Sequence, residues 1–230
     1  MKKAILLSFL FSSLAHAAPQ IIPAPVSHLY VPQGFDNNDA VEVVVTGYFT
    51  NTCFSRNTVN VDIKEDKINI SVSAIANEDT KRLCAEMIVP FKEVVSIGNL
   101  QGGDYDINVN GVLKDSVSIK EASSNATDDH LYADIESVER KSGTDFVLKG
   151  WRFSNCIELD KIEVVSNGKD TLSILPVMKQ VSNFCPMKMM PIAYPVKLDF
   201  SSVKVKEPLI HVRTMDGKSF NKIIYAEDRR

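Results

Sequence analysis

The chain has 230 residues, with 26 lysines and arginines against 29 aspartates and glutamates, and it carries four cysteines and four histidines. A net charge of −3, with the basic residues scattered rather than striped, excludes the electrostatic footprint of a sequence-independent nucleic-acid binder. It also argues against electrostatic docking on anionic lipid, and with no run of eighteen apolar residues no transmembrane anchor is expected.

Residues 1–17 read as an address. Lys2 and Lys3 form a positive start, Ala4 to Leu14 an apolar stretch, and Ala15-His16-Ala17 a small-x-small cleavage site, the pattern of a secretory signal peptide that suits bacterial export. No cysteine lies near the cleavage site, the first being Cys53, so release rather than lipid anchoring is expected, in the periplasm or outside the cell. Its removal leaves 24 basic residues against 29 acidic ones.

From residue 18 the chain reads as strands. His28-Leu29-Tyr30 opens the series, Val41 to Phe49 is β-branched and aromatic, and Val59 to Ile63 and Ile68 to Val72 alternate. A short helical turn is least excluded at Asn77 to Arg82. Met87 to Phe91 and Val94 to Ile97 then read as two further strands, Gly102-Gly103 introduces Tyr105 to Val109, and Asn110-Gly111 signals a hairpin into Val117 to Ile119. Lys120 to Asp129 holds no large apolar residue, which sets a linker at 122–129 between a first repeat (18–121) and a second (130–230). In the second, Phe146 to Leu148, Ile162 to Val165 and Leu209 to Val212 read as strands, with turns at Asn167-Gly168 and Asp216-Gly217.

The second half repeats the first. Gly47-Tyr48-Phe49 followed by Cys53 recurs as Gly150-Trp151-Arg152 followed by Cys156, and Cys84 with Pro90 recurs as Cys185 with Pro191. His28-Leu29-Tyr30 likewise recurs as His130-Leu131-Tyr132, and the offset stays between 101 and 103 throughout. A domain duplicated as a unit carries its own bridge. Of the three connectivities four cysteines allow, this selects Cys53–Cys84 and Cys156–Cys185, which an oxidising compartment permits. The rival is a metal site, but neither pair has CxxC spacing. Many short strands separated by turns give the fold class: all-β, two tandem immunoglobulin-like antiparallel β-sandwiches with one internal disulfide each.

The cysteine with a proline six residues on, then Leu100-Gln101-Gly102-Gly103-Asp104-Tyr105-Asp106-Ile107-Asn108-Val109-Asn110-Gly111, resembles the closing half of secreted bacterial tandem immunoglobulin-like or fibronectin-III-like repeat proteins. The resemblance implies a β-sandwich and no activity.

No constellation reads as catalytic, and no cofactor is expected. Gly-x-Ser-x-Gly does not occur, and the mature histidines, His28, His130 and His211, are expected to serve packing. Met178, Met187, Met189 and Met190 could offer thioethers to copper, although methionine more often fills gaps or pads binding surfaces. The expectation is a non-enzymatic binding or structural protein of the cell envelope with a protein or glycan partner. The alternatives are a pilus-assembly-type chaperone or an envelope protease inhibitor. Partner binding is expected on the cysteine-pinned loops Asn51 to Asn57 and Ser154 to Asp160, with Arg56, Phe54 and Arg152 as candidate contacts, since arginine and aromatics are enriched at hot spots.

Overall fold

The computed structural model describes residues 19–77, 83–122 and 132–225. The predicted signal peptide, residues 78–82 of the turn expected at Asn77 to Arg82, most of the linker, and His130 lie outside the described residues. What is described forms two β-sandwiches.

The first contains β1 (Gln20–Pro23), β2 (Val26–Tyr30), β3 (Phe35–Asp36), β4 (Val41–Asn51), β5 (Phe54–Lys64), β6 (Lys67–Ala76), β7 (Glu86–Gly98), β8 (Gly103–Val109) and β9 (Leu113–Lys120). The sheet β2-β4-β7 faces the sheet β1-β6-β8-β9-β3, whose β6 also pairs with β5. Alternation along β4 and β6 turns Val43, Val45, Phe49, Ile68 and Ile70 into a core shared with Phe35, Phe91 and Ile107. The second contains β10 (Asp134–Arg140), β11 (Asp145–Ser154), β12 (Ile157–Ser166), β13 (Thr171–Gln180), β14 (Met187–Lys197), β15 (Leu209–Thr214) and β16 (Lys218–Ile223). Here β10-β11-β14 faces β12-β13-β15-β16 around Phe146, Leu148, Leu172, Ile174 and Ile210.

The duplication holds at the level of pairing. Gly47 pairs with Phe91 and Tyr48 with Pro90, as Gly150 pairs with Ile192 and Trp151 with Pro191, and both strand pairs are bulged a few residues further on. Both sandwiches have a parallel pair at the same place, β6 with β8 and β13 with β15, because the strand between them (β7 or β14) crosses to the opposite sheet and the chain returns in its original direction; the first sandwich has a second parallel pair, β3 with β9.

Both repeated glycines are required by close approach. A Cβ on Gly47 would lie 2.2 Å from the Pro25 carbonyl oxygen, and one on Gly150 would lie 1.8 Å from that of Asp134. Backbone cannot step aside as a side chain can, so these two positions let β2 and β10 cross tightly over their neighbours. Each crossing is bulged, between Val26 and His28 and between Ile135 and Ser137.

Two expectations are corrected. Register aligns His28, opposite Thr46, with Ser137, opposite Lys149, so the recurring His-Leu-Tyr triplet is not a structural equivalence. Tyr132 instead bridges Val177, the place that Pro23 opposite Ser73 takes in the first sandwich. The two strands expected at Met87 to Phe91 and Val94 to Ile97 are one 13-residue strand, β7, with Pro90 inside it. That strand is a sheet edge, where a proline with no N–H to donate is tolerated.

Asn110 does more than turn the chain. It and Gly111 adopt φ of 51° and 75°, as the hairpin signal requires, and Asp216 and Gly217 do the same at 62° and 63°. Along one edge β6 pairs first with β8 and then with β1. Asn110 fills the gap: its Oδ1 accepts from Val72 N at 2.8 Å, and its Nδ2 donates to Val72 O at 2.9 Å and Ala24 O at 3.1 Å.

Candidate functional site: pinned ends and a polar joint

Two bridges close within their own sandwiches, Cys53–Cys84 and Cys156–Cys185, with Cα separations of 5.3 and 5.2 Å. The segments expected as pinned loops are largely strand. Only Thr52-Cys53 and Asn155-Cys156 turn, and β5 and β12 begin at the next residue. The turns are built alike: Asn51 Oδ1 accepts from Cys53 N at 2.9 Å, and Ser154 Oγ accepts from Cys156 N at 3.2 Å while donating to Pro186 O at 3.0 Å.

Of the candidate contacts, Phe54 packs into the first core, its ring 5.9 Å from that of Phe49. Arg56 donates to the Glu93 carboxylate at 2.6 Å and reaches the edge carbonyl of Lys92 at 3.4 Å. It thereby covers a free acceptor of edge strand β7. Arg152 is half-buried, with its guanidinium 4.0 Å from Met190 Sδ. Met178 is buried in the second core, whereas Met187 and Met189 stand exposed, so the four methionines do not converge.

What does gather at the pinned ends is apolar surface. Leu83 beside Cys84 is fully exposed at 101 %, with Met87 and Ile88 exposed beyond it; Phe184 beside Cys185 is 81 % exposed and Met187 85 %, flanked by Val181 and Met189. Leu83 and Ile88 have Phe184 and Met189 as counterparts at the repeat offset of 101. The sequence signal was present in the apolar residue preceding each second cysteine.

The sequence reading missed the joint between the sandwiches. Along β15, Ile210 and Val212 enter their own core while Leu209, His211 and Arg213 alternate toward the first sandwich. Leu209 and Ile223 pack with Tyr30 and Val44 of the first. Around them the contacts are polar. Arg213, buried, pairs with buried Asp39, donates to Gly34 O at 2.9 Å and Tyr132 Oη at 2.8 Å, and lies 4.3 Å over the Phe35 ring. Glu42 accepts from Ser219 Oγ and from Asn221 Nδ2 at 2.6 Å and sits 3.4 Å from His211 Nδ1. On the other flank His28 Nε2 meets Asp170 Oδ2 at 2.8 Å, and Tyr30 Oη donates to Glu207 O at 2.8 Å. The two described histidines are thus held between the sandwiches rather than presented to a substrate.

Burial opposes the ionisation of Glu42, but hydrogen bonds from His211, Ser219 and Asn221 outweigh it and hold the carboxyl below its ordinary range. Asp170 follows the same rule, its burial outweighed by His28, Asn167 and Thr171. Among the described residues no helix is long and apolar enough to cross a membrane, and no group of three or more histidine, cysteine or acidic side chains could hold a metal ion.

A family model described as the ORF11 beta-sandwich domain matches residues 43–119, which run from β4 through β9. No curated protein matches, and no solved structure matches. The match identifies the first module as a β-sandwich domain similar to that family, and the second carries the same strand pairing by its own register.

Proposed function

We propose that this chain is an exported, non-enzymatic binding or structural protein of the cell envelope, engaging a protein or glycan partner through the disulfide-pinned ends of its two sandwiches. The observation that carries the reading is the matched pair of apolar clusters, Leu83, Met87 and Ile88 on one module and Val181, Phe184, Met187 and Met189 on the other. Exposed apolar residues of this size grouped at a pinned, pre-organised place mark an interaction surface. The signal-like segment 1–17 and a disulfide in each module support export.

The test is capture from envelope extract with the immobilised full chain. Leu83→Ser and Phe184→Ser should each weaken partner retention several-fold, and together abolish it, while Lys64→Ala on the β5–β6 hairpin leaves it unchanged. Arg56→Ala and Arg152→Ala should have smaller effects, since both guanidiniums are engaged within the fold. Retention that survives the double serine variant but falls with the arginine variants would move the site to the turns.

A further inference from the structure

We propose that the joint between the sandwiches is an acid-released latch: three carboxylates, the buried Asp39 and Asp170 and the partly buried Glu42, hold the modules together, and in acid the modules part while each keeps its core and its disulfide.

The geometry is reciprocal. Asp39 and Glu42 belong to the first module and are bound by Arg213, His211, Ser219 and Asn221 of the second; Asp170 belongs to the second and is bound by His28 of the first. Bonds that do not involve these carboxylates also cross the joint, among them Gln33 N to Ser173 Oγ at 3.1 Å and Asn167 Nδ2 to Val31 O at 3.2 Å, but its apolar share is small. Its apolar cluster has four buried side chains among the described residues, against nineteen and thirteen in the two module cores. The cores are uncharged, and the carboxyls outside the joint that are also held low, Glu139 and Asp199, are solvated groups on the second module that touch neither the joint nor a core.

The charged groups facing Glu42 are His211, with Arg213 and Lys218 lining the same small cavity of about 20 Å³, and Asp39 opposite them. Asp36 lies beside Asp39, and Lys92 reaches across to Asn221 O at 3.0 Å. Asp170 faces His28, whose ring is 4.3 Å from that of Tyr30, while Lys169 and Asp115 pair nearby across the joint. Once Glu42 and Asp170 take protons, the negative charge facing His211, Arg213 and His28 falls while the buried guanidinium of Arg213 stays charged. Uncompensated buried charge is removed most cheaply by admitting water.

Both carboxyls are held below their unfolded values, so their contribution is full above those values and is lost as pH falls through the lower, folded ones. The latch therefore holds at neutral and mildly acidic pH and releases only as pH falls below the ordinary carboxylate range.

Small-angle scattering of the full chain from pH 7 downward, with far-ultraviolet circular dichroism on the same samples, reads both events. The expected result is a rise in radius of gyration at a pH where the β-type dichroism still has its neutral value. Glu42→Gln and Asp170→Asn should each shift that rise to higher pH, and the surface substitution Asp62→Asn should not. A radius that stays constant until the dichroism collapses overturns the proposal, and so does either joint variant opening at the wild-type pH with its dichroism intact. Should a variant lose dichroism at neutral pH, the wild-type titration and the other variant decide.

Discussion

Arg213→Met removes the one buried cation that crosses the joint at its centre. Asp39, 4 % exposed, would then keep a carboxylate whose remaining neighbour is the Asp36 N–H at 2.7 Å. Breaking a buried pair from one side costs about 3–5 kcal/mol, because the abandoned charge stays buried. Loss of the guanidinium from above Phe35 and Tyr132 removes up to about 2 kcal/mol more, which the added apolar contacts of the thioether partly offset. A net loss of roughly 4 kcal/mol is a large share of the 5–15 kcal/mol that separates folded from unfolded domains. Equilibrium urea unfolding at neutral pH resolves where the loss falls. Trp151 is the only tryptophan and lies in the second module, so its fluorescence follows that module while circular dichroism follows both. In the wild type the two signals should coincide. In Arg213→Met the midpoint should drop and the signals separate as the modules lose their coupling. Adding Asp39→Asn, which removes the stranded charge, should restore at least about 1 kcal/mol through direct coupling of the pair. A single variant within about 1 kcal/mol of wild type, with signals still coincident, would refute the reasoning.

Other substitutions probe the frame of each module. Gly150→Ala and Gly47→Ala should each cost about 3 kcal/mol or fail to fold, since the new Cβ meets backbone at 1.8 and 2.2 Å, whereas Gly143→Ala, with nothing within 4 Å, should be nearly neutral by thermal melting. Asn110→Ala removes three bonds to β6 and its neighbour and should cost about 2–3 kcal/mol in urea, with faster amide exchange at Val72. Non-reducing peptide mapping should recover the Cys53–Cys84 and Cys156–Cys185 peptides, and loss of either bridge should cost about 3–4 kcal/mol for loops of 31 and 29 residues.

The sandwiches were legible because their signals are local or periodic. The alternation of Val59 to Ile63 and Ile68 to Val72, the two left-handed turn residues after Val109, and the constant offset between cysteine pairs each stand alone in the sequence. The joint was visible only as a departure from alternation. Val43, Val44 and Val45 are all fully buried, and β15 is buried at every position from Leu209 to Thr214. Such runs mean burial on both faces, but nothing in them says what covers the second face. His28, Asp39 and Glu42 offered less still, because their partners lie more than 140 residues away and meet them only once both modules are formed. The triplet His-Leu-Tyr misled for a related reason. Identity at a nearly constant offset is not equivalence here, because the bulged crossings over Gly47 and Gly150 set the register of β2 and β10 independently.

The two modules meet through unlike surfaces, the outward side of β4 on one and of β15 and β16 on the other. Contact between copies of a single unit through different patches is heterologous rather than isologous, so the two copies play different parts in it. Val147, which occupies in the second module the place of Val44 in the first, is accordingly only half-buried, and Ser137 stands where His28 stands. Chain order is therefore written into the surfaces. A gene rearranged to place the second module ahead of the first would still make two sound sandwiches, but if the tether cannot bring the same patches together they would meet with a valine facing solvent and no arginine to cross between them.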